Sequence, residues 1–129
     1  MAANRNSRMN LGRRGEDAAV QYLQERDYTI LERNFRAERG EIDIIARENE
    51  TLIFVEVKSA KSRAFGDPED RVNLQKQRQI AKVAAAYLIM MDAEDADCRF
   101  DVIAVQFHQN GYTVNHLIDS FCFDGDYGY

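Results

Sequence analysis

Gly40-Glu41-Ile42-Asp43-Ile44-Ile45 and Phe54-Val55-Glu56-Val57-Lys58 are two runs dominated by Ile, Val and Phe, separated by the polar stretch 47–51. Such runs predict strands at residues 41–46 and 52–58, joined as a β-hairpin. Side chains i and i+2 share one face of a strand. Glu41 and Asp43 therefore share a face, as do Glu56 and Lys58, while Val55 and Val57 point the other way. Because the two strands are neighbours, Asp43, Glu56 and Lys58 can converge on one side of the sheet. Charged residues inside apolar strands carry a heavy desolvation cost unless they are paired or bound to metal.

Outward from this hairpin, residues 11 to about 26 read as a helix, with Ala19, Val20 and Leu23 on one face and Gly12, Gly15 and Glu16 completing the stripe. Glu16 thus lies on the inward side, where a carboxylate requires a partner. Residues 28–35 predict a first strand. The clearest helix runs from 70 to about 91, where Val72, Ile80, Val83, Ala84, Tyr87, Leu88 and Met91 recur at helical period. Strands follow at 99–107 and 112–118 around a turn at 108–111. The order is helix, three strands, helix, two strands. It predicts an α/β sandwich with a mixed central sheet of about five strands flanked by helices, and the helical crossover predicts a parallel pair between strands three and four.

Composition supports a single domain over 1–129. The chain has 45% apolar residues, 30% charged residues, 7 Gly and 1 Pro, which suits one packed core and not a disordered chain. No repeat, low-complexity tract or linker divides it. Its longest apolar run, residues 83–91, is far short of the roughly 20 residues that cross a bilayer. Residues 1–10 are polar and lack an apolar signal segment, so membrane and secretory classes are excluded and a cytoplasmic protein is expected. Cys98 and Cys122 lack C-x-x-C spacing and read as reduced thiols, not as a disulfide or zinc framework. Residues 1–9 read as a flexible amino terminus. The tail 120–129, with Phe121, Phe123, Tyr127 and Tyr129 among acids, reads either as a packing or self-association segment serving a homodimer, or as disordered beyond about Asp124.

The net charge of −5 argues mildly against a nucleic-acid ligand, but it is uneven. Residues 1–88 hold 16 basic and 14 acidic residues, and residues 89–129 hold 1 and 8. Carboxylates of the first part that bind metal would leave a basic face there. Arg13 and Arg14 cluster early, and Lys58, Lys61 and Arg63 follow one strand, a footprint suited to phosphate.

The chemistry that fits converging carboxylates beside a lysine is metal-assisted phosphodiester hydrolysis. Mg²⁺ takes carboxylate and carbonyl oxygens and keeps several waters. Asp43 and Glu56 would hold Mg²⁺ or Mn²⁺, with the carbonyl of Val57 as a further ligand. Lys58 would orient the attacking water or stabilise developing charge. Glu16 would complete the site through a water or bind a second metal. By itself the pattern D-x(n)-E-x-K is not specific, and an exposed edge-strand charge pattern would produce it too. His108 and His116 fall on a turn and a late strand, far in sequence from the carboxylates, and read as non-catalytic. Asp101 reads as a helper or a paired carboxylate and stays outside the site.

The pattern resembles that of the PD-(D/E)XK nuclease superfamily, with its restriction-endonuclease-like fold. The chain as a whole is similar to the YraN-like family, uncharacterised bacterial proteins that resemble archaeal Holliday-junction resolvases. The resemblance begins at Gly12-Arg13-Arg14-Gly15-Glu16-Asp17-Ala18-Ala19 and continues through Arg33-Asn34-Phe35-Arg36, the two strand runs above, and Phe65-Gly66-Asp67-Pro68. It then takes in Lys76-Gln77-Arg78-Gln79-Ile80, Ala85-Ala86-Tyr87-Leu88 and Arg99-Phe100-Asp101-Val102. It implies a metal-dependent endonuclease acting on DNA, branched DNA included, with Glu16, Asp43, Glu56 and Lys58 as site residues and Glu41 beside them. It also implies that Lys76 faces phosphate. In one departure, Ala60 stands where the family often has Arg, and Lys61 or Arg63 would have to substitute. The competing expectation is a non-catalytic module that binds nucleic acid or protein and retains the nuclease fold.

Overall fold

The computed structural model describes residues 2–61 and 72–121, with side chains from Asn10 onward within them. The order is α1 (Ala2–Glu25), β1 (Thr29–Ala37), β2 (Gly40–Glu48), β3 (Thr51–Lys61), α2 (Leu74–Met90), β4 (Cys98–His108) and β5 (Gly111–Phe121). The strands form one sheet in the order β1-β2-β3-β4-β5. All neighbours are antiparallel except β3 and β4, which α2 joins as the expected parallel pair. This is the α/β architecture read from the sequence.

Two apolar layers cover the sheet. On one face Ile42, Ile45, Phe54, Phe100 and Val102 pack under Ile80, Val83, Ala84 and Tyr87 of α2. On the other Ile44, Ile53, Val55, Ile103 and Val105 pack under Ala18, Ala19 and Leu23 of α1. Both helices therefore exist because their apolar stripes find a sheet face to bury.

Several boundaries differ from expectation. The first helix begins at Ala2, not near Leu11, and so runs through most of the amino terminus expected to be flexible. No Gly, Pro or β-branched residue interrupts residues 2–11, so the helix propagates beyond the part that carries the apolar stripe. It ends one residue early because Asp27 takes a left-handed conformation (φ 68°), and Tyr28 and Asp27 donate backwards to Leu23 and Gln24 carbonyls. The second helix starts at Leu74, not at residue 70. Asn73 caps it, accepting from the Lys76 N–H at 2.8 Å, and this satisfies a donor the helix would otherwise leave open. Val72 is buried ahead of the helix, and Met91, expected on the inward face, is the exposed C-cap. The motif at residues 65–68, Arg63, and the tail beyond Phe121 lie outside the described residues. Phe121 itself packs, stacking on Phe100 at a centroid distance of 4.6 Å.

Gly15 allows α1 to lie directly on β3. A Cβ there would sit 1.7 Å from Ser59 Oγ and 2.9 Å from Ser59 Cβ. Gly15→Ala is expected to push the helix outward and cost about 1–3 kcal/mol in urea unfolding. An unchanged midpoint would show that Ser59 yields freely and that the close approach is not needed.

Candidate functional site

The hairpin register brings the carboxylates together. The paired register runs as far as Ile44 and Val55, and just beyond it the Asp43 and Glu56 side chains are within hydrogen-bonding reach of one another. The Val57 N–H donates to Asp43 Oδ2 at 2.8 Å and holds that carboxyl against β3. Simple alternation fails here. Ile42 and Ile45 share the α2 face, whereas Ile44 and Ala46 share the α1 face. Opposite this switch, Asn34 of β1 has a left-handed φ of 54°. The local twist lets Asp43 sense carboxylates supplied by both faces.

Those carboxylates are Glu56, Glu16 and Glu41. Burial pushes the Asp43 carboxyl up to about 7, and the negative charges of Glu56, Glu16 and Glu41 add to the rise while the Val57 N–H opposes it. Burial also raises Glu56, against the charges of Lys76 and Lys58 and a hydrogen bond with Asp43. Both carboxyls are thus pushed toward the protonated form, as burial and neighbouring negative charge do. Each outlying carboxylate has a basic neighbour. Lys76 Nζ lies 3.7 Å from Glu56, Arg36 Nε lies 2.9 Å from Glu41, and Arg33 reaches Glu16 at 3.6 Å and Asp17 at 2.7 Å.

A divalent ion would offset the charge of two half-buried carboxylates, and Mg²⁺ needs only one or two if it keeps its waters. Asp43 and Glu56 therefore fit such an ion. Among the described residues no three His, Cys, Asp or Glu side chains close into a metal cage. Glu16, named from the sequence as a third ligand, bears on Asp43 electrostatically but is turned to Arg33.

The residues expected to meet phosphate divide into groups. Arg13 lines a cavity of about 740 Å³ together with Glu16, Arg33, Arg36 and Glu41, beside the carboxylates. Lys76 joins the site through Glu56. Lys61 pairs in unbroken parallel register with Phe107, which belongs to the α1 face, so it is separated from Lys58 and Glu56 on the other face. Arg14 also goes elsewhere, stacking 4.4 Å from the Phe107 ring centroid.

Asp101, read from the sequence as a helper or a paired carboxylate outside the site, is paired, within a polar cluster whose other members were not read. Asp101 is fully buried, and its carboxylate accepts from Arg99 Nε at 3.0 Å, His116 Nε2 at 2.7 Å and the Asp119 N–H at 2.9 Å. His116 Nδ1 lies 3.1 Å from the Tyr22 hydroxyl of α1. Arg99 also reaches Glu48 at 3.1 Å and the Tyr28 hydroxyl at 2.7 Å. The signal was present, since Asp101 interrupts an apolar strand as Asp43 does. His116, read as non-catalytic, has both ring nitrogens engaged within this network, which ties α1, β2, β4 and β5 together.

Comparison with known proteins agrees in extent with the motifs. The sequence profile of the family described as Uncharacterised protein family UPF0102 matches residues 15–105, which include Glu16, Asp43, Glu56, Lys58 and Asp101. A UPF0102 protein of Chlorobium chlorochromatii (strain CaD3) is 46% identical over 122 residues, covering 90% of this chain and 94% of the relative. One from Alkaliphilus oremlandii (strain OhILAs) is 45% identical over 113 residues, 86% of this chain and 97% of the relative. One from Geobacter metallireducens is 46% identical over 112 residues, 87% and 92%. With its full set of strand and helix motifs inside a match of this breadth, the chain belongs to the bacterial family UPF0102.

Proposed function

We propose that this protein is a Mg²⁺- or Mn²⁺-dependent endonuclease that hydrolyses phosphodiester bonds of DNA, with branched DNA such as four-way junctions among its substrates. The observation that carries the reading is the convergence of Asp43 and Glu56 on adjoining buried strands, where burial raises both carboxyls. When bound, the ion supplies an activated water and neutralises charge on the phosphate in flight. Asp43 and Glu56 hold it, and the Val57 N–H fixes the orientation of Asp43. Lys58 orients the attacking water or offsets the charge that develops. Glu16 adds negative potential on the side of α1. Arg13, in the cavity beside the carboxylates, and Lys76, paired with Glu56, are cations that would meet phosphates.

The test is incubation of pure protein with linear, nicked, single-stranded and four-way DNA, with and without Mg²⁺ or Mn²⁺. Cleavage is expected only with metal and is expected to disappear in Asp43→Asn. Lys58→Ala should lower single-turnover cleavage by roughly 10²-fold or more, the scale of one lost electrostatic or proton-transfer group. Lys61→Ala, on the other face, should weaken binding by only a few-fold. Equal losses in the two variants would make Lys58 one more phosphate contact. A second reading, a binding module without catalysis, draws on the Lys76–Glu56 ion pair, in which a protein cation stands where the metal's charge would act. Failure of Mn²⁺ to bind in calorimetry, together with uncut DNA, would favour it.

A further inference from the structure

Next to the carboxylate pair lies a cavity of about 610 Å³ lined by three cations from three separate elements and by two acids, Glu38 and Glu41. Arg36 comes from the end of β1, Arg39 from the β1–β2 turn and Lys76 from the first turn of α2. The turn is built at a conformational cost. Glu38 and Arg39, the two residues between β1 and β2, both have left-handed φ values, 50° and 61°. A two-residue hairpin of this type normally uses Asn-Gly, because at positive φ a Cβ crowds the backbone carbonyl, and Gly lacks one while Asn tolerates the region. The strained turn is clamped from α2, where Gln79 Nε2 donates to the Arg39 carbonyl at 2.8 Å. Gly40 makes the clamp possible, since a Cβ there would lie 2.8 Å from Val83 Cγ2.

Lys76 is also electrostatically misplaced as a helix residue. It sits in the first turn of α2, which contains no acidic residue, at the positive end of the helix dipole. Its compensating charge comes from outside the helix, at Glu56. Arg36 is likewise paired to Glu41. Two of the cavity's three cations are thus held by carboxylates, and Lys76 by one of the candidate metal site.

We propose that this cavity is a phosphate subsite for a nucleic-acid strand, its Lys76 neutralised by Glu56 until a divalent cation takes charge of that carboxylate and releases the lysine. This rests on the nuclease reading and adds to it a residue set, Arg36, Arg39 and Lys76, together with a rule of use: metal and strand strengthen one another's binding. Such coupling is reciprocal by thermodynamic necessity. Arg39 has no part in the carboxylate chemistry, so its contribution is to strand affinity alone.

The test is metal-free binding of a fluorescein-labelled DNA duplex at low salt with chelator present, so that cleavage does not intervene. Glu56→Gln is expected to tighten binding about 2–5-fold, the scale of one partly exposed ion pair released. That gain should vanish when Lys76→Ala is added, because the cycle isolates the pair. Arg39→Ala should weaken binding a few-fold in every background. Mn²⁺ should tighten wild-type binding and leave the Glu56→Gln affinity unchanged. A gain that survives Lys76→Ala would be general charge relief and would overturn the subsite while leaving the nuclease reading intact. Displacement of the duplex by inorganic phosphate at matched ionic strength, with the same residue dependence, would assign the cavity to free phosphate and overturn the strand claim. No duplex binding by any variant, with or without Mn²⁺, would overturn both readings.

Discussion

Asp101→Ala is expected to destabilise the protein by about 3–5 kcal/mol, the cost of removing one partner from a buried charged network. The carboxylate is fully buried, and the substitution leaves Arg99 and His116 facing a void. It also frees the Asp119 N–H and, through His116, loosens the Tyr22 contact that holds α1. Burial alone would raise the Asp101 carboxyl, but hydrogen bonds from His116, Arg99 and the Asp119 N–H outweigh it and hold the group below its usual range. A carboxylate depressed in the folded state contributes stability above its unfolded value near 3.8, and that stability is lost as pH falls through the folded value. Urea unfolding of wild type should therefore show an acid-side decline that Asp101→Ala lacks. A loss below about 1 kcal/mol at pH 7 would mean that water enters and satisfies the network, and that it does not anchor the sheet to α1.

Asp43→Asn should have the opposite sign. Asp43 is raised to about 7, so the folded protein holds a proton that the unfolded chain releases near pH 4. Stability from such a group is greatest below the unfolded value, declines between about pH 4 and 7, and stays low above that range. Asparagine can still accept from Val57 and carries no charge. At pH 8 with chelator present the variant should be more stable by about 1–3 kcal/mol, a fraction of what the full shift would allow because the Glu56 carboxyl is raised as well. At pH 4 the two proteins should unfold at similar denaturant concentrations. Mn²⁺ should raise the melting temperature of wild type, since a ligand that binds only the folded state stabilises it, and should do little for the variant. A variant less stable than wild type at pH 8 would show that Asp43 is a structural hydrogen-bonding group and not a strained carboxylate awaiting a cation.

How far the sequence reached can be seen at individual residues. Runs of Ile, Val and Phe marked β2 and β3, and the polar stretch 47–51 marked the hairpin, which the structure narrows to the two residues between Glu48 and Thr51. The meeting of Asp43 and Glu56 was legible because the hairpin is a local property of the chain, although strict alternation breaks beside Asp43. The parallel β3–β4 pair followed from the length of α2 as a crossover. The apolar stripes of both helices were legible for the same local reason, whereas their starts were not. Ala2 extends α1 by propensity without an apolar stripe, and Asn73 sets the start of α2 by a single side-chain hydrogen bond.

What only the tertiary structure decided is which charge each polar group meets. Tyr22 and His116 stand 94 residues apart, and Arg99 meets Glu48 across strands that are not neighbours in sequence. Lys76 could have faced solvent or any acid within reach of its stem, and it meets Glu56 because Gly40 lets α2 settle close to the hairpin. Periodicity tells which side chains share a face, but the partner of a long side chain depends on helix position to within an ångström or two. Those positions are set by the packing of Gly15 on Ser59 and Gly40 on Val83, contacts between segments far apart in the chain, and hence by the fold as a whole.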